Sequence, residues 1–175
     1  MYIGNEPLRV GGHDISLTMN DFWRWAGSNL SDASTRSVFA EFLVASSLDI
    51  LHGGRQIRKY NLLLPQKGSS GIRIHVSSAA YVQADDAEHP DRISFSVAPW
   101  QDADVYVFCL YKAMSAEESP LNTDLWDFYA LRAGAWESVW HGSGTGTLPA
   151  IISLGPVWCD YYGIGSAIET AMTAP

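Results

Sequence analysis

The chain has little of what builds the commonest active sites. Only two of its 175 residues are cysteine, and Cys109 and Cys159 stand far apart with no CxxC or Cys/His spacing. Neither a zinc site nor a disulfide framework follows from such a pair, so two reduced, mostly buried thiols in a cytoplasmic protein are expected. The five histidines form no HExxH or similar pair. Gly142-Ser143-Gly144-Thr145-Gly146 lacks a P-loop lysine and a strong preceding strand, and reads as a loop. No Ser/His/Asp set rises above chance. No apolar run approaches the roughly 20 residues of a spanning helix. The opening Met1-Tyr2-Ile3-Gly4-Asn5-Glu6 has neither the basic nor the hydrophobic part of a signal peptide. No membrane association is expected.

Positive charge is scarce as well, with 11 Lys and Arg against 19 Asp and Glu and a net charge of −8. That balance speaks against a general nucleic-acid binder, whose footprint is basic. The acids are unevenly placed, however. None falls between Asp49 and Asp85, where Arg55, Arg58, Lys59, Lys67 and Arg73 all lie. This basic window is either an ordinary solvated hairpin or a surface for the phosphates of a nucleic acid. What the chain has in quantity is hydrophobic residues, 47% of the total with seven tryptophans. Such a composition excludes disorder and suits one domain with one sizeable core.

Along the chain, residues 1–19 show no strong period and suggest a loop or a short edge strand. Asn20-Asp21 offers an N-cap for a helix running to Leu30, with Phe22, Trp23 and Trp25 expected to pack as core or lid. Residues 31–34 separate it from a second helix and cap that helix, which is expected over about 35–51 and stopped by Gly53-Gly54. Val38, Phe42, Ala45 and Leu48, with Phe39 and Leu51, form its apolar stripe. Glu41 lies on or beside that stripe. A carboxylate there either leans out, bonds a backbone N–H, or serves a site, because burial without a partner is costly.

A short strand over 58–65 leads through a turn into a long one over 71–83. In the latter, Ile72, Ile74 and Val76 alternate with Arg73, His75 and Ser77, so that positions 75 and 77 project together. Further strands are expected over 92–97, 104–111 and 125–131, the middle one apolar on both faces and hence central and covered. A short strand over 151–154 and a helix over 161–172, weakened by Gly163 and Gly165, complete the reading. The order predicts a single α/β domain with a central mixed sheet flanked by helices. There is no internal repeat.

The stretches DFWRWAGSNL, RSVFAEFLVA, IRKYNLLL, HVSSAAYVQ and ADVYVFCLYK, taken in this order, resemble the core of the restriction-endonuclease-like, or PD-(D/E)XK, nuclease superfamily. They are most similar to small uncharacterised bacterial proteins with that core. The resemblance covers about residues 20–132, leaving 133–175 as a C-terminal extension, and scaffold positions Trp23, Trp25, Arg36, Ala40, Glu41, Leu43, Ser78, Tyr81 and Gln83 agree. In that superfamily a helix glutamate, a strand aspartate and a Glu-x-Lys pair gather around a divalent metal. Here Glu41 keeps the helix position, but Asn61 stands for the aspartate, His75 for the glutamate and Ser77 for the lysine.

Mg²⁺ wants hard anionic oxygens, and Glu41 is the one carboxylate left among these positions. His75 and Asn61 beside Glu41 would suit a softer metal, if any. The resemblance thus implies a vestigial site of Glu41, Asn61, His75, Ser77 and Gln83, with no cofactor. The expected function is a catalytically degenerate nuclease-like protein with a binding or regulatory role, its partner a protein or DNA. The alternative is a metal-dependent DNA endonuclease with a rearranged site, which would use Mg²⁺. A purely structural or protein-interaction module is a third reading.

Overall fold

Residues 105–111, hydrophobic at every position, form the central strand, and the other elements are layered on its two faces. The computed structural model describes residues 4–30, 32–53, 60–81, 93–97, 102–115, 117–137 and 144–174. Its elements in order are β1 (Pro7–Val10), β2 (His13–Thr18), α1 (Met19–Ala26), α2 (Ala33–Ser47), β3 (Leu62–Leu64), β4 (Ile72–Ala80), β5 (Ser94–Ser96) and β6 (Val105–Tyr111). There follow β7 (Trp126–Arg132), α3 (Ala133–Glu137), β8 (Thr145–Thr147), α4 (Leu148–Ser153), β9 (Val157–Cys159) and α5 (Ile164–Thr173). The fold is α/β, a single domain around a mixed five-stranded sheet of order β3-β4-β6-β7-β9. Only the β4–β6 pair is parallel, with His75 beside Tyr106 and Ser77 beside Phe108.

The period of two along β4, β6 and β7 sorts their side chains into two cores. Ile72, Ile74, Val76, Val105, Val107, Cys109, Trp126 and Phe128 face α2 and α5, which supply Ala40, Leu43, Val44, Ile164 and Ile168. On the other face, Ala79, Tyr106, Phe108 and Leu110 meet Phe95 of β5, Trp136 of α3, and Leu148 and Ile151 of α4. Here β5 and β8 pair as a separate antiparallel ribbon. Since β9 joins the main sheet and α5 joins its core, the residues from 144 onward complete the domain.

Several local expectations are corrected. The chain before α1 is a two-stranded hairpin, β1 with β2, and Thr18 caps α1 in place of Asn20-Asp21. Phe22, Trp23 and Trp25 lie outside both cores, because α1 buries no residue. Residues 148–153 are helical where a strand over 151–154 was expected. Pro149, which fits a first helical turn, outweighs the β-branched pair Ile151-Ile152. On α2, Asp32 is the N-cap, accepting from the N–H groups of Ser34 and Thr35 at 3.1 and 3.0 Å.

That helix ends at Ser47, where Asp49 takes a left-handed φ of 55°, well before the glycines expected to stop it. Its buried face is Arg36, Ala40, Glu41, Leu43, Val44 and Ala45, while Val38 and Phe42 are exposed. Two stripes on α2 compete for the sheet. The small Ala40, fully buried, lets the backbone approach β4, and a stripe led by the bulkier Val38 and Phe42 would hold it off.

Candidate functional site

The site is set by where β3 stops pairing. Leu62, Leu63 and Leu64 run antiparallel to Ile74, Arg73 and Ile72. Gly71 makes this hairpin possible, because at its φ of 81° a side chain is strained and a Cβ would sit 2.7 Å from the Leu64 carbonyl oxygen. One residue before β3, the chain bends away from β4. The Asn61 N–H still donates to Ile74 O at 3.0 Å. The next outward N–H of β4, on Val76, is beyond the reach of β3 and is met by a side chain, donating to Asn61 Oδ1 at 2.7 Å. That donor fixes which way the amide points. Nδ2 therefore faces α2 and donates to Glu41 Oε1 at 2.9 Å.

Glu41 is 4% exposed. It is the acidic residue in the wall of a pocket of about 380 Å³ whose other lining is apolar: Val38, Phe42, Ala45, Ile50, Leu51 and Leu62. The sheet brings Glu41 and Asn61 together here. It directs His75 and Ser77 elsewhere. Their neighbours Ile74 and Val76 point toward α2, so positions 75 and 77 point to the opposite face. The His75 ring, 6% exposed, stands edge-on to Tyr106 with centroids 5.5 Å apart. Ser77 donates from Oγ to Ser96 O at 2.7 Å, tying β4 to β5. Gln83 lies outside the described residues.

These donors do not suit Mg²⁺. Asn61 Oδ1 is engaged by the Val76 amide, which leaves an N–H pair, a repellent of cations, facing the carboxylate. Among the described residues no three His, Cys, Asp or Glu side chains converge as a metal site.

The basic window is likewise divided. Arg73 is clamped: Nε donates to Asp104 Oδ2 at 3.0 Å and Nη2 to Asp104 Oδ1 at 2.6 Å, while Nη1 pairs with Asp102. The two carboxylates, Asp104 first, raise the affinity of Arg73 for its proton, and Arg73 in turn holds the Asp104 carboxyl below the usual range. Lys67 is exposed in the β3–β4 turn. Arg55, Arg58 and Lys59 lie outside the described residues. Asp102 and Asp104 escaped the sequence reading because nothing local links acids at the head of β6 to an arginine 29 to 31 positions earlier.

No family model, curated protein or solved structure matches the chain. The architecture by itself is a generic α/β one, and among the described residues no helix is long and apolar enough to cross a membrane.

Proposed function

We propose that this chain is a catalytically degenerate, nuclease-like module that binds or regulates a partner without cutting nucleic acid, and that the partner is a protein. Asn61 carries the reading. A nuclease of the type that the sequence resembles needs an aspartate and a glutamate facing one another across a cation. Here an amide bridges the helix glutamate to the sheet, so the pair is hydrogen-bonded and needs no cation. His75 and Ser77 fill packing and tethering roles on the far face, which takes the other two motif positions away from Glu41. The arrangement α2, hairpin, long strand, then two more strands supports the likeness to the superfamily core. A protein partner fits better than DNA, because the net charge is −8 and Arg73 is occupied by Asp102 and Asp104.

The test is cleavage of supercoiled plasmid with Mg²⁺ or Mn²⁺ by the wild type and Glu41→Ala. Neither protein should cut, and neither metal should raise the melting temperature. Metal-dependent cutting that disappears in Glu41→Ala would overturn the proposal in favour of a rearranged endonuclease. A parallel measurement of DNA affinity at low salt should give none. Binding that weakens steeply with salt and in Lys67→Glu would make DNA the partner.

A further inference from the structure

The first three elements have no core of their own. β1, β2 and α1 contain no buried residue, yet they carry seven large apolar side chains. The hairpin pairs Arg9 with Asp14 and Val10 with His13, and its register shifts between Pro7 and Arg9. Its charged pair is matched: Arg9 Nε meets Asp14 Oδ1 at 2.7 Å, and the Thr18 N–H donates to Asp21 Oδ2 at 2.8 Å to close the turn into α1. Its apolar side chains are bare. Leu8, Val10, Ile15 and Leu17 are all exposed, as are Phe22, Trp23 and Trp25 of α1, with Trp25 at 78%. An isolated two-stranded hairpin is marginal in water, and so many exposed apolar side chains on one short arm mark an interaction site.

The same chain carries a second bare apolar surface. Val38 and Phe42 on α2 and Leu51 beyond it are all more than 40% exposed, and they rim the 380 Å³ pocket above Glu41. We propose that two copies of this chain form a two-fold dimer in which the apolar side chains of each N-terminal arm, residues 7–26, cover the α2 pocket of the other copy.

Area and symmetry both favour a second copy as the occupant. Arm and pocket rim together leave on the order of 1,000 Å² of large apolar side chain open per copy, and a standard interface takes about 800 Å² from each partner. Both complementary surfaces occur in one chain in equal numbers. A reciprocal exchange covers both in both copies and closes, whereas a one-way contact would run on into filaments. Trp25 is the natural anchor, being large, rigid and 78% exposed. Because each copy carries −8, added salt should tighten the dimer by screening repulsion.

Sedimentation equilibrium of the full chain at micromolar concentration tests this. Wild type should sediment at twice the chain mass. Trp25→Glu and Phe42→Glu should each raise the dissociation constant at least about tenfold, with unchanged circular dichroism. Both positions are exposed, and Val38→Glu repeats the pocket arm of the test should Phe42→Glu misfold. A monomeric wild type overturns the proposal, as does a dimer that both variants leave intact. A dimer broken by Trp25→Glu but left intact by both Phe42→Glu and Val38→Glu excludes the exchange.

Discussion

Asn61 holds the Glu41 carboxylate with one end of its amide and the backbone N–H of Val76 with the other, at 2.9 and 2.7 Å. The bridge connects α2, β3 and β4 at the point where the hairpin opens. A residue there must accept from a backbone N–H and donate to a carboxylate at once. Among side chains of this size the amide alone does both.

Asn61→Asp should therefore destabilise the domain at neutral pH by about 1–3 kcal/mol, the usual result of leaving a buried polar group wrongly partnered. Its second oxygen would face Glu41, and the pair would bind a proton more tightly folded than unfolded. A raised folded-state affinity means that stability falls as pH rises through the carboxylate range and returns as pH falls. Urea melts at pH 7.5 and 5.5 check this. A variant as stable as the wild type at pH 7.5 contradicts the bridge.

Asp104→Asn tests the Arg73 clamp. The Asp104 carboxyl is held below its ordinary range chiefly by the side-chain hydrogen bond from Arg73. The contribution is thus fully present above the ordinary aspartate value and is lost as pH falls through the lowered one. Arg73 is 35% exposed in its side chain, so the effect near neutrality should be modest, about 1 kcal/mol. The gap between wild type and variant should narrow on acidification from pH 6 to pH 3. A gap independent of pH would show that the carboxylate charge plays no part.

The elements legible in the sequence are those whose signal is local. The alternation of β4, the two-sided apolar run of β6 and the Asp32 cap of α2 all follow from neighbours within a few residues. Glu41 is buried, where its position in the sequence left open whether it leaned out, bonded a backbone N–H or served a site. What stayed illegible depends on distant partners. The strand over 92–97 was legible, but its partner was not: β5 pairs with β8 about fifty residues on, Ser94 with Thr147, in a glycine-rich stretch that reads as a loop. The buried stripe of α2 was hidden because Arg36 and Glu41 sit on it while Val38 and Phe42 stay outside. His75 and Ser77 were placed on one strand face correctly, but alternation does not say which face meets α2.

Gly146→Ala probes the second core. A Cβ at that position would overlap the indole of Trp136, which is itself packed on Tyr106 and Phe108. Overpacking of this kind costs about 1–3 kcal/mol. Combining it with Trp136→Leu should relieve the clash, so the double variant should be less destabilised than the sum of the singles. Strict additivity in denaturant melts would mean that the two positions do not touch.

The thiols give a last prediction, because burial sets their chemistry. Cys109 is fully buried at the centre of β6, and loss of water pushes its thiol well above the normal range, with Cys159 and Glu41 adding to the effect. Cys159 on β9 is pushed to about 11, by burial first and then by Asp160 and Asp127. The thiolate is the reactive form, so at pH 8 only about a thousandth of Cys159 is available. Its alkylation should be slow and should accelerate about tenfold per pH unit through pH 10. Cys109 has no route to reagent in the folded chain, so its labelling should follow the opening of the core. Mass spectrometry of the alkylated protein should show a singly labelled species carrying the tag on Cys159. The doubly labelled form should rise only as urea approaches the unfolding midpoint. Labelling of Cys109 at the rate of Cys159 in native buffer would mean that the α2 and α5 layer opens readily, and the packing described above would have to be revised.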